Sequence, residues 1–366
     1  MREIGRNSNG RRGNRRGAAM VMVAGAIVLV FAFAILGIDM AILMTTKTQL
    51  QNAADAAALA GASGLATGSR NEARTRAKAF ASYNFAVRQV RSPVLITDGD
   101  VTFPTATSVR VVTHRTRATG DPLRTYFLRV IDLGRTNTTD VRATATAEVA
   151  DLCSSECIKP WSVPDRWDDA NNNDQLDPGE YDPITTGYTA PQDTGEQIVL
   201  KLANPQDTIA PGIFFAVDYP PLGQGRPITG ADQYREWIAT CAPFSIGPGD
   251  SLQLEPGRMV GPTVQGVEDL INLDPDAYWD SGEKTVKNSA FGRSPRIVLA
   301  SFFDPRLPPT SGRNWVRVIK VAAFFIDDVN KNSQVTGYFM MMATPGERCA
   351  AGETPGGFLK GLGLVR

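Results

Sequence analysis

Residues 18–38 read AAMVMVAGAIVLVFAFAILGI, and residues 50–62 read LQNAADAAALAGA; these two stretches decide the architecture. The first holds 21 consecutive residues without a charge. At about 1.5 Å per residue a helix of that length reaches roughly 31 Å, the thickness of a bilayer's hydrocarbon core. A helix buried in a soluble core normally keeps a polar face, and none is present here. The preceding segment carries Arg2, Arg6, Arg11, Arg12, Arg15 and Arg16 against Glu3. Such a basic flank places residues 1–17 in the cytoplasm and the chain after the span outside it. A cleaved signal peptide has an apolar core of about 7–15 residues ending near a small-x-small site. The nearest such site, Ala58-Leu59-Ala60, lies beyond Asp39, Lys47 and Asp55. Residues 18–45 therefore read as an uncleaved transmembrane signal anchor. Type IV prepilin processing is disfavoured, because Met22 stands where those proteins have glutamate.

Beyond Asp39 the helical pattern continues. Leu50, Ala53, Ala54, Ala57, Ala58, Gly61, Ala62 and Leu65 recur at helical spacing as a stripe of small residues. Such a stripe admits close approach of another backbone, either the domain's own sheet or a partner helix in self-association. A second helix is expected over 71–85, with strands at 94–97 and 108–113. Pro122 reads as the first residue of a helix carrying Leu123, Phe127, Val130 and Ile131. Val141, Ala143, Ala145, Ala147 and Val149 alternate in the manner of a strand. Residues 46–150 thus predict a small α/β domain hung on the membrane helix.

Composition separates a second block. Lysine plus arginine and aspartate plus glutamate balance at 38 each, but residues 1–150 hold 20 basic and 10 acidic side chains, against 18 and 28 in 151–366. All four cysteines and all five tryptophans also follow residue 150, which places a boundary near Asp151. Residues 151–366 read as a β-rich domain, with strands at 198–203, 213–217, 297–303, 316–326 and 337–343. Helices are expected at 231–240 and 264–273. The fold class is therefore α/β (α+β), a single N-terminal transmembrane helix extended into a small α/β domain and followed by a β-rich one. The tryptophans are expected to anchor cores and turns.

The arginine-flanked span, Asp39 at its outer end and the run from Leu50 to Ala62 together resemble the N-terminal domain of Tad-type Flp pilus-assembly proteins, TadG-like. The second block is similar to the remainder of certain TadG-like proteins at Cys157-Ile158-Lys159-Pro160-Trp161, Pro164-Asp165-Arg166-Trp167, Met259 to Thr263 and Ala277 to Ser281. Many relatives carry a von Willebrand type A domain with a DxSxS metal motif; that motif is missing here, so the module is not implied. The resemblance implies a component of the bacterial inner membrane with its C-terminal domains in the periplasm or exterior. Its partners would be pilus-assembly or secretion-channel proteins, with the Leu50–Leu65 helix as one candidate contact surface. The alternative is a calcium-dependent, membrane-anchored surface or adhesion protein unconnected with pili.

Chemistry is sparse in the remaining sequence. No G-x-S-x-G elbow, H-E-x-x-H pair, phosphate-binding glycine loop or dinucleotide fingerprint occurs, and His114 is the single histidine. The chain therefore reads as non-enzymatic, and His114 as an exposed residue in a polar stretch. The basic excess already has a topological cause, and nucleic acid is not an expected partner. Cys153, Cys157, Cys241 and Cys349 all follow the span, in an oxidising compartment on this topology, where an even count favours disulfides. Four cysteines permit three pairings. Cys157–Cys241 with Cys153–Cys349 is favoured because long-range bridges would tie the loop-rich start of the second domain to its body. The acidic loop from Asp169 to Glu180 is a candidate for structural Ca²⁺. Asp169, Asn171, Asn173, Asp177 and Glu180 occupy oxygen-ligand positions of an EF-hand-like loop, and Gln175 can offer its carbonyl. Asp174 replaces the usual glycine, and Pro178-Gly179 disfavours an exiting helix.

Overall fold

The structure, a computed structural model, describes residues 14–86, 92–126, 138–173, 176–202, 214–219, 230–255, 257–309, 314–350, 353 and 356–365. One helix, α1 (Asn14–Thr67), runs through both opening stretches without a break. Its window of highest mean hydropathy, 2.9, contains no buried residue. Burial begins abruptly at Asp39, and from there the inward face is Thr46, Leu50, Ala53, Ala54, Ala57, Ala58 and Ala62. A turn at Gly68 leads into α2 (Arg70–Ser82), whose N-cap Ser69 accepts from the Glu72 amide at 3.3 Å. Glu72 in turn pairs with Arg76 one turn on, at 2.8 Å. Ala73, Ala77 and Ala81 form the buried stripe of α2.

The two helices meet through their smallest side chains. A Cβ placed on Gly64 would lie 2.8 Å from the Cα and N of Ala73, and one on Gly61 would lie 2.9 Å from Val109 Cγ1. The obstacle at Gly64 is backbone, which cannot rotate away. Gly64→Val is therefore expected to cost about 1–3 kcal/mol or more, read as a lower melting temperature of the full chain in detergent. The exposed Gly25→Val, with nothing within 4 Å, is the control; equal melting of the two variants would show the helices do not pack here.

The helix pair covers a six-stranded sheet. In chain order the strands used below are β1 (Val101–Thr102), β2 (Ser108–Arg115), β3 (Val141–Ser154), β4 (Ile158–Pro164), β5 (Gln197–Lys201), β6 (Val217–Asp218) and β7 (Ser251–Leu254). They are followed by β8 (Ile297–Phe303), β9 (Trp315–Val329), β10 (Val335–Met340), β11 (Met342–Ala343), β12 (Glu347–Arg348) and β13 (Leu359–Val365). The first sheet has the order β11-β13-β3-β2-β1, with β12 also on β3. The alternation read along 141–149 turns Val141, Ala143, Ala145, Ala147 and Val149 into the core. Thr113 Oγ1 donates to the Leu50 carbonyl at 2.8 Å, and Gln51 to the Thr144 carbonyl at 3.1 Å, so α1 and β3 rise together.

For the stripe of small residues the structure takes the first of the two readings, and at three other places it departs from the sequence. The stripe Leu50–Leu65 is consumed by its own sheet and α2, so no face of small residues remains there for a partner helix. Asp151 lies inside the continuous strand β3, and the last strand, β13, returns to pair with it antiparallel from Lys360↔Asp151 to Val365↔Thr146. The compositional change at residue 150 thus does not coincide with a break in structure. Leu123–Arg124 is a short strand paired with Thr138–Thr139 rather than the start of a helix, and residues 127–131 of that expected helix lie outside the described residues. His114 is only 13% exposed on β2 and pairs with Asp100 at 3.0 Å, contrary to the solvated position expected for it.

The second sheet has the order β6-β7-β9-β8-β4, with β10 joining β9 to β5. The 15-residue β9 serves two neighbours on one edge, β7 at residues 315–317 and β10 at residues 323–329, while β8 pairs along its other edge. β4 lies parallel to β8, among the described strands of this sheet the one pairing that needs a long crossover. Two helices, α3 (Ala231–Ala239) and α4 (Val260–Leu273), cover the core. Trp161, fully buried, donates its indole N–H to Tyr234 Oη at 2.8 Å. Trp237 and Trp279 are also buried, whereas Trp315 is 44% exposed.

Candidate functional site

At the foot of the first domain, just beyond the apolar stretch, the carboxylate of Asp39 accepts the backbone N–H of Tyr126 at 2.8 and 2.9 Å through its two oxygens. Asp39 is 8% exposed although it follows 21 apolar residues. A carboxylate at that depth requires donors, and the Tyr126 amide is one. Neither sequence spacing nor periodicity joins positions 39 and 126; only the folded sheet does.

The acidic loop folds back on itself. The Asn173 amide donates to Asp169 Oδ1 and to Asn171 Oδ1, both at 3.0 Å. The side-chain amides of Asn171 and Asn173 donate to Asp177 Oδ2 at 2.7 and 3.0 Å, and the Asp177 amide donates to Glu180 Oε2 at 2.8 Å. Asn172 takes positive φ, as does Gly179. Asp169, Asn171, Asn173, Asp177 and Glu180 are thus brought together, while Gln175 and Asp174 lie outside the described residues. In this arrangement amide nitrogens face Asp177. A cation would need both asparagines turned about their last torsion to present oxygen. Among the described residues, the group of three His, Cys, Asp or Glu ligand atoms within 4.8 Å of one another is Cys153, Cys349 and Glu353. Its two sulfurs are bonded to each other, which removes them as ligands.

The structure joins Cys153 to Cys349 and Cys157 to Cys241, with Cα atoms 4.7 and 4.6 Å apart. The first bridge ties β3 to the segment that carries β12 and leads to β13. The second ties the start of β4 to the end of α3.

Buried charges in the second domain serve the frame. Arg296 donates to the carbonyls of Ala277, Ile326 and Asp327 at 2.7, 2.9 and 2.9 Å and stacks on Phe325, 4.5 Å from the ring centre. Lys201 donates to the Arg258 carbonyl and Ser333 Oγ, both at 2.9 Å. Lys159 donates hydrogen bonds to the Trp237 and Thr240 carbonyls. It lines a cleft of about 630 Å³ with Cys157, Thr240, Arg293 and Glu347. Ser155, also at this cleft, donates to the Pro345 carbonyl at 2.8 Å. Lysine and serine are thus each committed to backbone, and they do not form a nucleophile–base pair.

Burial lowers the pKa of Lys159 and of Lys201 to about 8, with Arg258 adding to the effect at Lys201. An unfolded lysine titrates near about 10.4. Between those values the unfolded chain binds more protons than the folded one, so stability should rise with pH from about 8. Burial raises the phenols of Tyr181, Tyr188, Tyr219 and Tyr234. Above about pH 10 the unfolded chain therefore loses protons that the folded one keeps, and stability falls again. Denaturant titrations at intervals from pH 7 to pH 11 should show this maximum, and Lys201→Met should flatten its rising side. A flat profile across that range would contradict it.

No curated protein and no solved structure matches the chain. Residues 17–64, the stretch in which α1 passes from exposed apolar surface to the alanine stripe, match the Tad family model, described as "Putative Flp pilus-assembly TadE/G-like".

Proposed function

We propose that the protein is a membrane-anchored component of Flp (tight-adherence) pilus assembly that works through protein–protein contacts and catalyses no reaction. The observation that carries this reading is the continuity of α1, half exposed and apolar, half packed as the core of the Tad domain. Between Asp39 and Leu50 it contains neither glycine nor proline, so the span and the folded domain move as one rod. On this reading residues 1–17 are cytoplasmic, the anchor lies in the bacterial inner membrane, and both folded regions face the periplasm or exterior. The partners are pilus-assembly or secretion-channel subunits, held by surfaces other than the internal Leu50–Leu65 stripe. Deleting the gene should reduce piliation and surface attachment, and the wild-type copy should restore both. Normal piliation in the deletion strain removes the reading. Reporter fusions after Ser154 that work only in the cytoplasm would overturn the topology.

The loop from Asp169 to Glu180 is, within the same reading, a structural Ca²⁺ site. Support comes from the convergence of Asp169, Asn171, Asn173 and Asp177 and from the hard-oxygen character of the donors, which suits calcium. Affinity should fall near 10⁻⁴–10⁻³ M, as a rough range for extracellular modules. Calorimetry on the full chain in detergent should show calcium uptake that Asp169→Ala or Glu180→Ala abolishes; no uptake at millimolar calcium refutes the site.

A further inference from the structure

We propose that residues Leu123–Tyr126 form part of a lipid-contacting foot that seats the Tad domain directly on the headgroup layer of the membrane. The inference rests on the anchor reading above and adds the surface that meets the lipid. Ile38 is the last residue of the charge-free run, so it marks the end of the hydrocarbon region, and residues 39–45 of the anchor lie at headgroup depth. Asp39 follows at once, and its carboxylate holds the Tyr126 amide at 2.8 Å. The Tyr126 backbone therefore lies within about one helical turn, some 5 Å, of that boundary. Alternation along the segment turns Leu123 and Thr125 inward, both buried, and leaves Arg124 and Tyr126 outward. Tyr126 is 48% exposed. Tyrosine at this depth has an apolar body for the acyl boundary and a hydroxyl for water, the basis of aromatic belts.

The charges nearby suit a phospholipid surface. Arg124, Lys47 and Arg142 are exposed on this end of the domain, and Lys47 donates to the Arg142 carbonyl. Met40 and Met44, 50% and 60% exposed on α1 just past the boundary, continue the apolar surface toward the headgroups. Leu123 shares a core with Ile42 and Leu43, so the foot is fixed to the helix as well as hydrogen-bonded to it. Continuity with the exposed apolar helix is what selects lipid over a protein occupant.

The test places a tryptophan at the foot of the full chain. Tyr126→Trp keeps the backbone N–H that Asp39 accepts. Thr107→Trp serves as control, because the Thr107 carbonyl accepts from Val149 at the opposite end of the sheet. Each variant is reconstituted into vesicles of phosphatidylcholine and phosphatidylglycerol that contain lipid brominated near the headgroup end of its chains. The fluorescence of each is taken as the difference from wild type. Residue 126 should be quenched at least about twofold, as an interfacial aromatic should be, and residue 107 should not. Vesicle flotation of every variant separates the two readings. A chain that does not float overturns the anchor, and the foot with it. Flotation without quenching at 126, or equal quenching at 107, overturns the foot alone.

Discussion

Lys320→Met is expected to destabilise the second domain by about 3–5 kcal/mol, because it leaves a buried carboxylate without its counter-charge. Lys320 Nζ lies 2.6 Å from Asp165 Oδ2, with side-chain exposures of 3% and 0%. Asp165 also accepts from the Tyr181 hydroxyl at 2.9 Å and the Tyr188 amide at 3.0 Å, and Lys320 donates to the Tyr188 carbonyl at 2.9 Å. The pair therefore clamps the strand end that follows β4, the 181–188 turns and the middle of β9. Space is equally committed, since a Cβ at Gly187 would collide with the Asp165 carboxylate. Removing both charges, as in Asp165→Leu with Lys320→Met, should cost less than Lys320→Met alone. Chemical denaturation of the full chain in detergent, followed by tryptophan fluorescence, measures the order. A double variant less stable than the single one would show that the charge is not what Lys320 supplies.

Cys153→Ser with Cys349→Ser is expected to free the last strand of the chain. The bridge closes a loop with a sequence separation of 196 residues, and the chain-entropy model assigns such a loop about 5 kcal/mol. The second bridge, nested inside it with a separation of 84, already shortens the unfolded chain, so the expected loss is about 2–5 kcal/mol. The local effect is sharper. The bridge sits where β12 pairs with β3, Arg348 opposite Leu152, and β13 then continues along the same edge of β3. Without it, hydrogen exchange at Leu362 to Val365 should accelerate toward that of an open edge. Removing Cys157 and Cys241 instead should leave β13 protected, because that bridge holds β4 to α3. Unchanged protection of β13 in the first variant would show that strand pairing alone retains the terminus.

Some of this was settled along the chain. The charge-free run at 18–38, the helical stripe at 50–65 and the alternation at 141–149 are local periodicities, and local periodicity survives folding because each residue's face is set by its own helix or strand. Strands β8 and β9 were legible for the same reason, as were α3 and α4. The asparagine- and aspartate-rich loop likewise needed only near neighbours to bring Asp169, Asn171, Asn173 and Asp177 together.

What the tertiary structure alone decided involves pairs far apart in sequence. Leu359-Lys360-Gly361-Leu362-Gly363-Leu364-Val365 has two glycines and no clean alternation, so nothing local marks it as the strand that completes the first sheet. Its pairing with β3 erases the boundary that composition suggests at Asp151, since charge balance records solvent exposure and says nothing of which strands are neighbours. A stripe of small residues tells that a backbone comes close, but not whose; contact with Ala73, Ala77 and Val109 decided that it is the domain's own. His114 and Lys320 look like solvated side chains until β1 and β4 bring Asp100 and Asp165 beside them. Asp39 carries the same lesson: its sequence position marks the edge of the membrane span, and only a hydrogen bond across 87 residues ties that edge to the folded domain.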